Sequence, residues 1–105
     1  MRYTYAQGIA NSNGYEVVQE FVGHGTGVYL HMPPYVAHHT NNDKLSLRTG
    51  MVFTIEPILV EGSREVTVWA EDGWTVVTKD EKRYACVCTY TSYTKIYTCI
   101  EYCIY

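Results

Sequence analysis

Cysteine is missing from the first 85 residues of this 105-residue chain, so nothing before Cys86 can supply a thiol for a disulfide or a thiolate site. An excess of basic residues is missing too. Eight Lys and Arg stand against eleven Asp and Glu, the formal net charge is -3 and the pI is about 5.7. That balance leaves no electrostatic footprint for nucleic acid or for an anionic membrane. No apolar run approaches the length of a bilayer-spanning helix. The opening Met1-Arg2-Tyr3-Thr4-Tyr5 has neither an apolar signal core nor an Arg/Ser-rich transit pattern, so no targeting segment is expected in this chain. The length suits one small domain with a modest core, not two.

What is present divides near Arg83. Residues 1–83 have an ordinary mixed composition. In residues 84–105, Tyr, Thr, Cys and Ile make up seventeen of twenty-two positions, including all four cysteines, Cys86, Cys88, Cys99 and Cys103. The expected organisation is a globular unit over 1–83 and a Tyr/Thr/Cys-rich tail over 84–105, with a splice boundary near Arg83 in the encoding gene. A four-cysteine zinc site is the competing reading of the tail, but the usual knuckles have wider first pairs and glycine turns.

Periodicity along 1–83 reads Tyr3 to Asn13 as the end of a helix, with Ala6, Ile9 and Ala10 on one face and a stop at Asn13-Gly14. A strand is expected over Tyr15–Val22. Gly23–Gly27 reads as too glycine-rich for a regular element, and Pro33-Pro34 reads as a loop. Met51–Val60 is the strongest strand, bulged or on an edge at Pro57. Val66–Trp69 and Trp74–Thr78 read as paired strands around Glu71-Asp72-Gly73. The tail has high strand propensity without tidy alternation.

Four histidines fall within sixteen residues. His24 lies between glycines, which let backbone approach a ligand and leave the imidazole unobstructed; the alternative is a plain turn residue. Glu56 interrupts an apolar strand, where a carboxylate is costly unless paired, hydrogen-bonded or metal-bound; the alternative is an edge strand with Glu56 facing water. Imidazole and carboxylate are shared ligands of divalent metals. His31, seven residues after His24, is placed to point into the same cavity. His38 and His39 read as loop or packing residues. Trp74 is a candidate pocket wall, with core packing as the alternative.

The blocks Gly23-His24-Gly25-Thr26-Gly27, Leu30-His31, Pro34-Tyr35-Val36-Ala37-His38, Gly50-Met51-Val52-Phe53-Thr54-Ile55-Glu56-Pro57 and Asp72-Gly73-Trp74-Thr75-Val76-Val77-Thr78 occur in this order. Together they closely resemble the C-terminal half of type I methionine aminopeptidases, from roughly residue 6 to residue 83. The resemblance implies an α+β, mostly antiparallel "pita-bread" fold with a helix at the N-terminal end. It implies removal of the initiator methionine from nascent chains by water activated between two divalent metals. By the same resemblance, His24 and Glu56 match metal ligands, His31 matches the catalytic histidine that contacts substrate, and Trp74 matches a residue near the substrate pocket. The family's two aspartate ligands fall upstream of Met1. Its second glutamate belongs to a block that should follow Lys82-Arg83, where this chain reads Tyr84-Ala85-Cys86-Val87-Cys88-Thr89. Three of the family's five ligands therefore have no counterpart here.

The resulting expectation is a metalloaminopeptidase-like chain with little or no activity of its own. Co, Mn, Fe or Zn is the expected metal type, weakly held, and nascent-chain N-terminal peptides are the family substrate. Neither nucleic acid nor membrane is an expected partner, the sequence sets no oligomeric state, and the location is cytoplasmic or mitochondrial. The alternatives are a non-catalytic protein-interaction module of the same fold and an unstable truncated product.

Overall fold

The computed structural model describes residues 5–92 and 95–98. Tyr3, Glu101, Cys99 and Cys103 lie outside them, and with these the full four-cysteine reading of the tail. Helix α1 spans Tyr5–Ser12. Gly14 takes the left-handed conformation (φ 78°), and the Asn13 and Tyr15 amides donate back to Ala10 C=O at 2.9 and 3.0 Å, which closes the helix as Asn13-Gly14 predicts. The buried face differs from expectation. Gln7 and Ala10 are buried while Ile9 is 62% exposed. Gln7 turns inward because its Oε1 accepts the Thr40 amide at 2.6 Å, tying α1 to the segment after His39.

Among the described residues, ten short strands follow. They are β1 (Glu16–Val17), β2 (Gly23–Gly25), β3 (Met32–Val36), β4 (Val52–Ile55), β5 (Ile58–Val60), β6 (Val66–Val68), β7 (Val76–Thr78), β8 (Tyr84–Cys86), β9 (Thr89–Ser92) and β10 (Lys95–Thr98). They form three antiparallel sheets, ordered β1-β5-β8, β10-β9-β4-β2-β3 and β6-β7. The fold is α+β and mostly antiparallel. Its core is built largely from valine: Val17, Val18, Val36 and Val60, with Ala10 and Phe53.

Four local expectations are corrected. The 15–22 strand shrinks to Glu16–Val17, because only that stretch meets β5; Val18 adds one further bond, its amide to Ile58 C=O at 3.0 Å. The glycine block is irregular only at Thr26-Gly27: Gly23–Gly25 is an interior strand, buried throughout. Its glycines are required by close approach, since a Cβ at Gly23 would collide with the Thr54 carbonyl and one at Gly25 with the Pro33 carbonyl. The two prolines lie inside β3 rather than in a loop. That strand is at a sheet edge, where missing amide donors cost no ladder bond, and its register with β2 shifts between His24 and Gly25.

The fourth correction concerns Met51–Val60. It is two strands, β4 and β5, in different sheets, parted at Glu56-Pro57. One of its neighbours nevertheless runs past the break. Val52 to Ile55 pair with Ser92 to Thr89, and Ile58 to Val60 pair with Cys86 to Tyr84, all in one register. That register sets Glu56 across from Cys88, and the Val87 amide donates to Pro57 C=O at 3.4 Å. On the opposite flank the neighbour changes, from β2 beside β4 to β1 beside β5. On the first flank the register is kept although Val87-Cys88 belong to neither β8 nor β9; on the other flank it is lost.

The predicted pairing of 66–69 with 74–78 is present as β6 and β7, in the register Val66↔Thr78 to Val68↔Val76.

Candidate functional site

Strand β2 places His24 beside the end of β4, 8% exposed. Its ring is held at both nitrogens. Nδ1 lies 3.0 Å from Gly25 C=O, and Nε2 lies 3.3 Å from Glu56 Oε1. A backbone carbonyl on Nδ1 selects the tautomer that leaves the Nε2 lone pair outward, the usual arrangement behind a ligating histidine. Glu56 keeps a quarter of its side-chain surface exposed.

Thr54 links the two residues. Its Oγ1 accepts the His24 amide at 2.9 Å and donates to Glu56 Oε1 at 2.8 Å. Alternation puts residues 54 and 56 on one face of the strand, which is why the hydroxyl reaches the carboxylate. His31, at the end of the β2–β3 connection, brings its ring centroid to 4.4 Å from that of His24, tilted by 60°. The connection before it is strongly exposed at Val28, Tyr29 and Leu30.

His38 belongs to this group as well. It is 3% exposed, and its Nε2 accepts the Glu56 amide at 3.0 Å. Burial lowers its pKa to about 4, and the adjacent His39 acts in the same direction. The ring is therefore neutral near pH 7. His38 Nδ1 is buried without a hydrogen-bond partner among the described residues. Trp74 stands apart. It is 85% exposed at the β6–β7 turn and borders a shallow depression with Phe21, Thr75, Val76 and Tyr84, a lining that includes none of His24, His31 and Glu56.

Two donors on one ion at 2.0–2.2 Å and a near-tetrahedral angle lie about 3.4 Å apart. The His24–Glu56 separation of 3.3 Å fits that requirement. The donor number does not fit a complete centre: among the described residues, no group of three His, Cys, Asp or Glu is arranged to hold a metal ion. Two of the three aspartates are committed to turns, Asp72 to Trp74 and Thr75 and Asp80 to Ser63 and Lys82.

A model of metallopeptidase family M24 matches residues 3–91. The chain belongs to metallopeptidase family M24. The family match continues past Arg83, through β8 and into β9. Among M24 relatives, the human mitochondrial methionine aminopeptidase 1D is 51% identical over 77 residues, covering 73% of this chain and 23% of the relative. The solved methionine aminopeptidases from Rickettsia prowazekii and Thermotoga maritima superpose with TM-scores of 0.77 at 31% and 32% identity. Each alignment covers 93% of this chain, and they cover 38% and 42% of those chains. The chain thus spans about a quarter of the curated relative and about two fifths of the solved structures. Its architecture is a portion of the M24 pita-bread fold.

Sequence reading singled out His24, His31 and Glu56, and the fold brings these three together. It passed over Thr54 and read His38 as a loop or packing residue. Thr54 carried a signal in its position two residues before Glu56. The contact of His38 with Glu56 was not readable, because it joins positions eighteen residues apart.

Proposed function

We propose that this chain carries one side of a methionine aminopeptidase site and that alone it has little or no aminopeptidase activity. The observation that supports this reading is the His24–Glu56 pair at 3.3 Å with the His31 ring beside it. His24 Nε2 and the Glu56 carboxylate would hold the same divalent ion, of the Co, Mn, Fe or Zn type. Bound there, such a metal supplies Lewis-acid activation of water. His24 is oriented by Gly25 C=O, and Glu56 is oriented by the Thr54 hydroxyl. His31, on the exposed side of His24, is the residue we assign to substrate contact and to stabilising charge on the peptide carbonyl as it is attacked. Trp74 would act only as a remote wall of the substrate path. The substrate class is a peptide with an N-terminal methionine, and the compartment is cytoplasmic or mitochondrial.

Two protein donors hold an ion weakly and fix no geometry for an attacking water. The purified 105-residue chain, assayed on a Met-Ala-Ser peptide with Co2+ or Mn2+, should therefore release no methionine above the metal-only control. Turnover comparable to that of a complete methionine aminopeptidase would refute the reading.

A further inference from the structure

Where β4 leaves one sheet and β5 joins another, one flank of the chain loses its neighbouring strand. The amide exposed by that change belongs to Glu56, and the group that receives it is an imidazole. We propose that His38 is a positioning residue for Glu56: its Nε2 takes the place of the missing strand carbonyl and fixes the main chain from which the carboxylate reaches towards His24. The proposal rests on the reading of Glu56 as a metal ligand.

Three observations carry it. The Glu56 amide has no ladder partner on that flank among the described residues, since β2 pairs with β4 at Gly25↔Phe53, three residues before Glu56, and β1 meets the chain only from Ile58 C=O onwards. The imidazole is buried against the glycine strand, its Cε1 3.4 Å from where a Gly23 Cβ would stand, so the ring has little room to turn. Its Nδ1 has no hydrogen-bond partner among the described residues. An imidazole that accepts at Nε2 carries its proton on Nδ1, so a buried donor is left unpaired while the Glu56 amide is satisfied. Packing alone would be met as well by a leucine. The Thr54 hydroxyl and the His38 ring thus grip Glu56 at two points, side chain and main chain.

The test uses the full chain, with His38→Leu and His38→Gln. Gln reaches about as far as Nε2 and presents an amide oxygen; Leu fills the space without an acceptor. In His38→Leu, Glu56 amide exchange should quicken at least tenfold and Co2+ should bind about 10–100-fold more weakly. In His38→Gln both should return to within about threefold of the parent. Unchanged Glu56 exchange in His38→Leu, or no recovery in His38→Gln, overturns the proposal. A measurement on the unmutated chain decides the case if His38→Leu does not fold. Nitrogen-15 spectra should show His38 protonated at Nδ1, bare at Nε2 and coupled through the hydrogen bond to the Glu56 amide nitrogen; a proton on Nε2 overturns it. If His24→Ala leaves Co2+ binding by the parent unchanged, the metal reading fails, while the exchange and nitrogen-15 results still judge His38.

Discussion

Thr54 serves two residues of the site with one hydroxyl, and its removal has a calculable consequence. In Thr54→Val the His24 amide loses its acceptor while still buried, and Glu56 loses a donor. An unsatisfied buried donor costs about 1–3 kcal/mol. Denaturant unfolding should show a loss in that range for Thr54→Val, with most of it recovered in Thr54→Ser. A loss below about 0.5 kcal/mol, within the ordinary range for neutral surface changes, would mean that the hydroxyl is dispensable. At this scale the sequence was readable for residues whose chemistry is unusual in its setting: a histidine between glycines and a carboxylate in an apolar strand. It gave His38 only a loop or packing role, because the amide that His38 meets lies eighteen residues away in the chain.

The β6–β7 hairpin shows what local pattern does determine. Two runs of β-branched residues flank Asp72-Gly73, and Gly73 adopts φ 65° as such a turn requires. Asp72 then closes the turn. Its carboxylate accepts a hydrogen bond from the Thr75 hydroxyl and from the Trp74 and Thr75 amides. The Thr75 hydroxyl, followed by those amides, holds its pKa below 3.8. A carboxyl whose folded value is depressed contributes stability above its unfolded pKa and loses it as pH falls through the folded one. The Trp74 and Thr75 amide signals should therefore titrate with a midpoint below 3.8, and a midpoint at or above that value would contradict the turn geometry. Elements governed by contact with distant chain were harder to read. Gly23–Gly25 has no strand propensity of its own; it is a strand because two carbonyls, from Thr54 and Pro33, close on it from either side. Pro33 and Pro34 were readable as ladder breakers, but not as residents of an edge where no ladder bond is lost.

At the level of the whole molecule, the decisive feature is the pairing of 52–60 with 84–92. Residues 84–92 lack clean alternation, so nothing in their pattern announced this partner. The fold class was legible because long blocks of residues 6–83 resemble one family, and the matched model reaches residue 91. Removing residues 84–105 would strip β4 of β9 and β5 of β8 and leave unpaired edges rich in Val, Ile and Leu. A chain ending at Arg83 should show a lower and broader thermal transition by circular dichroism than the full chain, with earlier aggregation. An unchanged melt would show that the pairing adds no stability. The same pairing has a kinetic reading. A ladder that crosses from one sheet to the other without changing step acts as a zipper with a single pull. Phe53 belongs to the five-stranded sheet and Leu59 to the three-stranded one, yet their amides should exchange with solvent through one common opening event, with matching free energies. The two halves of the histidine–glutamate pair would then come undone together with both sheets, never one at a time.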